Sequence, residues 1–391
     1  MSQQLISHSP DLSRLRDVGY EIEVCGGYLI THHIPYVNAR CEIAYGKLIT
    51  ALNLNGNTTA RPPDHVIQFM GEHPCHKDGS IITQIQHAAQ NTKLFDGIVM
   101  NFSFSNKPKN GYPDYYEKVN TYAELIASPA RSIDPSVTAK TFKAIPAKDE
   151  QSVFNYIDTN ATRAHILQAN AKFTGQKIGV IGAGGTGAYI LDMLAKTPVA
   201  EIHLFDGDVF HQHNAFRCPG APPLSLFDDQ PKKVSYLKNI YGNMHRGIHT
   251  HDVFITKDNL HLLGTLSFVF LCVDSNRVRG LIIAYLMENK IPFIDVGLGV
   301  NLVEDQLIGT LRATLITPEQ HDHLDKRIGK SDTDDNEYAT NIQIADLNAL
   351  NAMLAIIKWK KWTGFYQDLK EEHHSTYSIN TSQLIHEDFT A

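Results

Sequence analysis

Apolar positions in the second half of the chain alternate between short unbroken runs and helically spaced sets. Ile178, Val180 and Ile181 form one run, which stops at Gly182, Gly184, Gly185 and Gly187. AYILDMLAK then carries its apolar residues at helical spacing, Pro198 closes it, and EIHLFD resumes as a strand. A continuous apolar run reads as a buried parallel strand, so this stretch predicts strand, glycine turn, helix, strand. The pattern repeats downstream. GIHTHDVFIT predicts a third strand, LSFVFLCVD (266–274) a fourth, SNRVRGLIIAYLMENK a helix and PFIDVGLG a fifth strand. Beyond these, residues 306–317 predict a further strand, the polar residues 318–340 an exposed loop, 341–361 a long helix rich in Ala and Leu, and Thr376–Ile385 a last strand. Alternating strands and helices imply an α/β fold, a doubly wound, Rossmann-like and mostly parallel sheet.

The first 150 residues read differently. EIEVCGGYLITHH alternates on both sides of Gly26-Gly27, a hairpin pattern. Residues 101–116 are rich in turn formers and aromatics and predict a loop. Residues 128–147 carry three prolines and read as a linker, and residues 155–173 predict a helix leading into the first strand. The expected organisation is a separate N-terminal α+β domain at 1–150, of unassigned role, followed by the α/β domain at 151–391.

Composition narrows the function classes. Hydrophobic residues make up 42% of the 391, enough to bury a core. The balance of 35 Lys+Arg against 42 Asp+Glu, net −7, supplies no global attraction to nucleic acid or anionic membrane. No window approaches the length of an apolar membrane span, and MSQQLISHSPDLSR has no secretory-signal pattern. The 5 cysteines are scattered without a C-x-x-C pair, so the expected setting is a reducing cytoplasm and no cysteine-rich zinc site. The 20 histidines follow no recognised ligand spacing and read as surface or polar-network residues.

Chemistry concentrates on the α/β domain. A glycine turn between strand and helix lets backbone N–H groups and the helix dipole approach phosphates. Asp206, ending the second strand, is placed to bind both hydroxyls of a ribose. These features suit NAD or ATP equally. LFDGDVFHQHNAFR then adds Asp208, Asn214 and Arg217, and QPKKVSYLK adds Lys232 and Lys233. Asn and Arg donors beside an added lysine suit a triphosphate. Asp274, ending the fourth strand in CVDSNRVR, faces the ligand crevice and would be a natural Mg²⁺ ligand beside that triphosphate.

The combination of Gly182, Gly184, Gly185, Gly187, Asp206, Asp208, Asn214, Arg217, Lys232, Asp274 and Arg279 resembles the ThiF/MoeB/ubiquitin-activating-enzyme adenylyltransferase family over residues 155–365. The resemblance makes residues 151–391 a ThiF-type ATP-binding adenylyltransferase domain. It implies adenylation, with Mg·ATP, of the C-terminal carboxylate of a ubiquitin-like or sulfur-carrier protein, in a bacterial conjugation-type pathway with a possible downstream conjugation partner. It implies that Asp206 holds the ribose, that Asn214, Arg217 and Lys232 contact phosphates, and that Asp274 binds Mg²⁺. It also implies a homodimer, in which Arg163 is the candidate arginine reaching the partner's ATP.

The chain departs from many relatives. It lacks the paired C-x-x-C zinc site, and no cysteine follows Cys272, so the 318–340 loop, with Ser331 but no thiol, forms no thioester. Two outcomes remain: the acyl-adenylate passes directly to an acceptor, or a cysteine elsewhere takes the activated carboxylate, Cys218, next to Arg217, or Cys75, between His73 and His76. Two other classes stay open from sequence: an NAD(P)-dependent oxidoreductase using the same glycine loop, and a non-catalytic relative that binds a nucleotide or a partner.

Overall fold

The computed structural model describes residues 2–95, 97–143, 152–164, 166–329 and 342–389, without the side chains of 2–4, 95, 162 and 163. The chain divides into two compact units, Met1–Pro146 with Thr159–His165, and Ala147–Asp158 with Ile166–Ala391.

In the first unit, α1 (Ser2–His8) and α2 (Pro10–Asp17) precede an antiparallel sheet. Its strands are β1 (Ile22–Cys25), β2 (Tyr28–Val37), β3 (Ile43–Ala51), β6 (Val66–Met70), β8 (Ile98–Ser105) and β7 (Gln86–Phe95), in that spatial order. β4 (Leu54–Asn55) and β5 (Thr58–Thr59) form a separate small ribbon. Gly26 and Gly27 have φ of 56° and 81°, the left-handed pair that a tight turn between paired Cys25 and Tyr28 requires. Helix α3 (Tyr115–Ile133) packs Tyr115, Val119, Tyr122 and Ile126 into a core with Leu29, Ile34, Phe69 and Phe104.

Two expectations for this unit are corrected. Residues 101–105, read as loop, belong to β8. Their alternation N-F-S-F-S is a strand period, and Phe104 is fully buried. Residues 128–133, read as linker, continue α3 with Pro129 inside it. The buried stripe of Ile126, Ala127 and Ala130 outweighs the hydrogen bond that proline forfeits.

The second unit contains one eight-stranded sheet. Its strands are β9 (Lys177–Ile181), β10 (Glu201–Phe205), β11 (Ile248–His251), β12 (Phe268–Leu271), β13 (Phe293–Val303), β14 (Gln306–Ile316), β15 (Glu372–Ser378) and β16 (Gln383–Phe389). The spatial order is β11-β10-β9-β12-β13-β14-β15-β16. β11 through β13 pair in parallel, and β13 through β16 antiparallel. On one face Leu191 of α6 (Gly185–Leu194), Leu237 of α8 (Lys233–Tyr241) and Trp359 of α11 (Ala345–Trp362) share a core with Ile178, Val180 and Leu204. On the other, Ile282 and Ile283 of α9 (Asn276–Glu288) pack with Ile181, Val269 and Leu271. The mostly parallel α/β sheet and the separate N-terminal α+β layer match the expected fold class.

Details differ. The helix expected over 155–173 is broken into α4 (Thr159–Arg163), α5 (Leu167–Asn170) and a 3₁₀ turn at Ala171–Phe173. α4 groups with the first unit. The single last strand is a hairpin of two, β15 and β16. Two short helices, α7 (Gln212–Ala215) and α10 (Leu324–Arg327), complete the α-helices of the described residues.

Candidate functional site

The carboxyl ends of β9, β10 and β12 open into a cavity of about 630 Å³. Gly182, Gly184, Gly185 and Gly187 line it, with Asp206, Asp208, Arg217, Lys233 and Asp274. The glycines act differently. Gly182 has φ of 93°, and a Cβ there would fall 2.6 Å from the Cys272 carbonyl oxygen. A Cβ at Gly187 would collide with the Gly182 carbonyl, so α6 packs this close to β9 only with glycine. A Cβ at Gly184, the N-cap of α6, would meet nothing within 4 Å. That open side leaves the helix N-terminus available to a phosphate group.

Asp206 is 9% exposed and holds the turn. Its Oδ2 accepts the Ala183 N–H at 2.8 Å and its Oδ1 the Asp208 N–H at 2.9 Å. A carboxylate has about four lone-pair sites, so two remain for a ligand hydroxyl. Lys233 is 7% exposed and donates to Asp208 at 2.6 Å, with Asp206 at 3.7 Å. Lys233 lines the cavity and Lys232 does not. Lys232, expected on the phosphates, turns its Nζ to the Gly207 carbonyl at 2.8 Å and to Asp252 at 3.2 Å. The side chain of one lysine points to the crevice and that of its neighbour away, because Lys232 is the extended residue capping α8 and Lys233 its first helical residue.

Arg217 offers a buried Nε that has no partner among the described residues. Buried N–H groups are normally satisfied, so this donor fits an acceptor from a bound ligand. Asn214 is almost fully buried and does not line the cavity. Its Oδ1 accepts the His211 N–H at 2.8 Å, which shapes α7, while its Nδ2 also lacks a partner among the described residues. The side chain of Arg163 lies outside the described residues, as does Ser331 with residues 330–341 of the loop.

Asp274 is exposed at the cavity mouth, immediately before the Ser275 N-cap of α9. Arg279 braces the turn that presents it. Its Nη2 donates to the Val273 carbonyl at 2.5 Å, and Nη1 to Asn276. Its Nε donates to Asp295 at 2.9 Å. Asp295 is completely buried and takes a second guanidinium, from Arg312, at 2.6 Å. The arginine in C-x-D-x4-R is thus a brace for the aspartate turn, anchored by a buried Arg–Asp–Arg set.

Among the cavity residues not singled out from sequence are Asp295's partner Arg312, and Asn348, Asn351 and Thr186. Asn348 bonds Thr186 at 3.0 Å and the Arg217 carbonyl at 3.3 Å. Asn351 donates to the Gly297 carbonyl at 3.0 Å, and its Oδ1 has no partner among the described residues. The available signal was two asparagines three apart on the apolar stripe of a helix rich in Ala and Leu.

The two candidate cysteines are poor acceptors. Cys218 is buried, and burial pushes its thiol up to about 11. Cys75 is buried too, and burial raises its thiol as well. Its Sγ donates to the His73 carbonyl at 3.3 Å. A thiol held neutral is a weak nucleophile.

The glycine turn, the acids at the strand ends and the unpartnered guanidinium Nε line one crevice of a doubly wound α/β domain. Residues 124–305 match the ThiF family, and the chain carries a domain of that family. Residues 10–159 match a domain of unknown function, DUF6791. Ubiquitin-like modifier-activating enzyme 5 of Drosophila virilis is 26% identical over 161 residues, 37% of this chain and 39% of that protein. The chain thus matches about two-fifths of that relative's length. Among solved structures, E. coli MccB with ATP is 17% identical with a TM-score of 0.45, covering 62% of this chain and 73% of that one. E. coli tRNA N6-threonylcarbamoyladenosine dehydratase, TcdA, with AMP is 21% identical with a TM-score of 0.40, covering 52% and 93%. No helix among the described residues is long and apolar enough to cross a membrane.

Proposed function

We propose that the chain is an ATP-dependent adenylyltransferase that activates the C-terminal carboxylate of a ubiquitin-like or sulfur-carrier protein. The carrying observation is the convergence of the Gly182–Gly187 turn, Asp206, Arg217, Lys233 and Asp274 on one cavity. The ThiF match supports adenylation, and the Drosophila virilis relative, named for activating a ubiquitin-like modifier, supports a protein C-terminus as substrate.

In this reading the substrate carboxylate attacks the α-phosphorus and pyrophosphate leaves. The carboxylate is already ionised near neutral pH, so the protein needs no general base. Its residues position and neutralise. The Asp206 carboxylate accepts ribose hydroxyls, the α6 N-terminus and Arg217 receive phosphate oxygens, and Lys233 adds a point charge. Asp274 would hold Mg²⁺, which supplies charge neutralisation at the phosphates. A homodimer, with Arg163 reaching the second copy's nucleotide, belongs to the same reading. With Cys75 and Cys218 buried as neutral thiols, the acyl-adenylate passes directly to its acceptor.

Thermal scanning with Mg·ATP, NAD⁺ and NADP⁺ tests the nucleotide, since a ligand of the folded state raises Tm by mass action. A rise with Mg·ATP alone is expected, and pyrophosphate exchange with candidate carrier proteins then identifies the substrate. A rise with NAD⁺ or NADP⁺ alone overturns the proposal in favour of an oxidoreductase.

A further inference from the structure

Away from the nucleotide cavity, β10 and the end strand β11 gather histidines and an acid on one sheet face. A strand period of two puts Glu201 and His203 on one side of β10, and His249 and His251 on one side of β11. Parallel pairing sets His203 opposite His249 and Phe205 opposite His251. The rings stack: His203–His249 centroids are 4.9 Å apart and His203–His251 5.3 Å, with interplanar angles of 26° and 15°. His203 is the hub. Its Nε2 lies 2.8 Å from Glu201 Oε2, and its Nδ1 3.0 Å from His251 Nε2.

One ligand atom each from Glu201, His203 and His249 lie within 4.8 Å of one another. None of the three lines the nucleotide cavity. We propose that Glu201, His203 and His249 form a binding site for a divalent transition-metal ion of the zinc type, completed by water and with His251 orienting His203. Two imidazoles and a carboxylate, without thiolate, suit Zn²⁺. Bonds of about 2.0–2.2 Å to a tetrahedral ion bring ligand atoms to roughly 3.4 Å, which the exposed His249 reaches by side-chain rotation.

The surroundings favour the set. Lys177 takes the other oxygen, Glu201 Oε1, at 2.9 Å, which leaves Oε2 to face His203.

When His203 ligates through Nε2, its Nδ1–H donates to His251 Nε2, the outer hydrogen bond that metal-bound imidazoles ordinarily make. The ion then pins a four-residue end strand to its neighbour, where pairing is otherwise one-sided.

The test is ZnCl₂ titration of the untagged full chain after chelator treatment, followed by calorimetry and thermal scanning. Wild type is expected to bind one ion per chain at this site and to gain Tm. His249→Ala, at an exposed position, and His203→Gln are each expected to weaken that binding tenfold or more. Both are expected to keep their rise in Tm with Mg·ATP, which separates this site from the nucleotide cavity. Zinc bound with the same stoichiometry and affinity in wild type and His249→Ala would overturn the proposal, since the ion would then sit on other histidines. No zinc uptake by wild type would overturn it as well.

Discussion

The Asp206 carboxylate accepts the Ala183 amide at 2.8 Å, which ties the end of β10 to the glycine turn after β9. The same carboxylate accepts the Asp208 amide at 2.9 Å. The residue proposed to bind a ribose therefore also builds the crevice. Asp206→Ala strands two amide donors, one of them buried, at about 1–3 kcal/mol. The expected outcome is a lower urea midpoint together with loss of the Mg·ATP-induced rise in Tm. An unchanged midpoint would refute the structural half of this assignment.

Asp274 separates from Asp206 because it is exposed, whereas Asp206 is buried and holds two backbone amides. Asp274→Ala is expected to leave the Tm without nucleotide within about 1 °C, as surface substitutions do. The added stabilisation by Mg²⁺ over ATP alone should disappear. Its persistence at full size would remove Asp274 from the metal role.

Lys233 lines the cavity while Lys232 bonds Gly207 and Asp252. Lys233→Ala is therefore expected to weaken ATP binding by tenfold or more, and Lys232→Ala by much less. Calorimetric titration of ATP into both variants decides, and the reverse order would restore Lys232 as the phosphate contact.

Asp295 is completely buried between Arg279 and Arg312. Removing its charge leaves two guanidinium groups without their counter-ion. Breaking a buried pair in this way costs about 3–5 kcal/mol. Asp295→Asn is expected to lower the urea midpoint sharply and to weaken ATP binding through the loosened Asp274 turn. A midpoint equal to wild type would show that the set is not a brace.

His245 is fully buried, and burial pushes its imidazole down to about 4. Its Nε2 bonds the Val199 carbonyl at 3.1 Å, and its Nδ1 accepts the Gly247 amide at 3.1 Å. A second proton would have to displace that amide. The unfolded chain, with an imidazole near 6.5, takes the proton first as pH falls. Stability is therefore unaffected above pH 7 and declines between about pH 6.5 and 4, by roughly 3 kcal/mol in full. Burial pushes His374 down to about 4 as well, with the same sign. Urea midpoints at pH 7.5 and 5 should converge in His245→Gln relative to wild type. Equal pH slopes would exclude His245 as a contributor.

The strand–glycine–helix order was legible because it depends on local rules. Continuous apolar runs make buried strands, and only glycine allows the turn at Gly182 and the close packing at Gly187. The acids ending β10 and the Asp274 turn were legible for the same reason, since strand ends in such a sheet face the crevice. Tertiary packing decided the rest. Pro129 sits within α3 because long-range burial overrides a local penalty. Lys233 and not Lys232 lines the cavity because Lys232 is the extended cap of α8 and Lys233 its first helical residue. Asn348 and Asn351 reach the site from a helix far along the chain, and His203 meets His249 only through strand pairing. Sequence by itself determined the periodicities and the turn. Which distant side chains share a site was decided by sheet register and helix packing, because those contacts join residues that no local spacing relates.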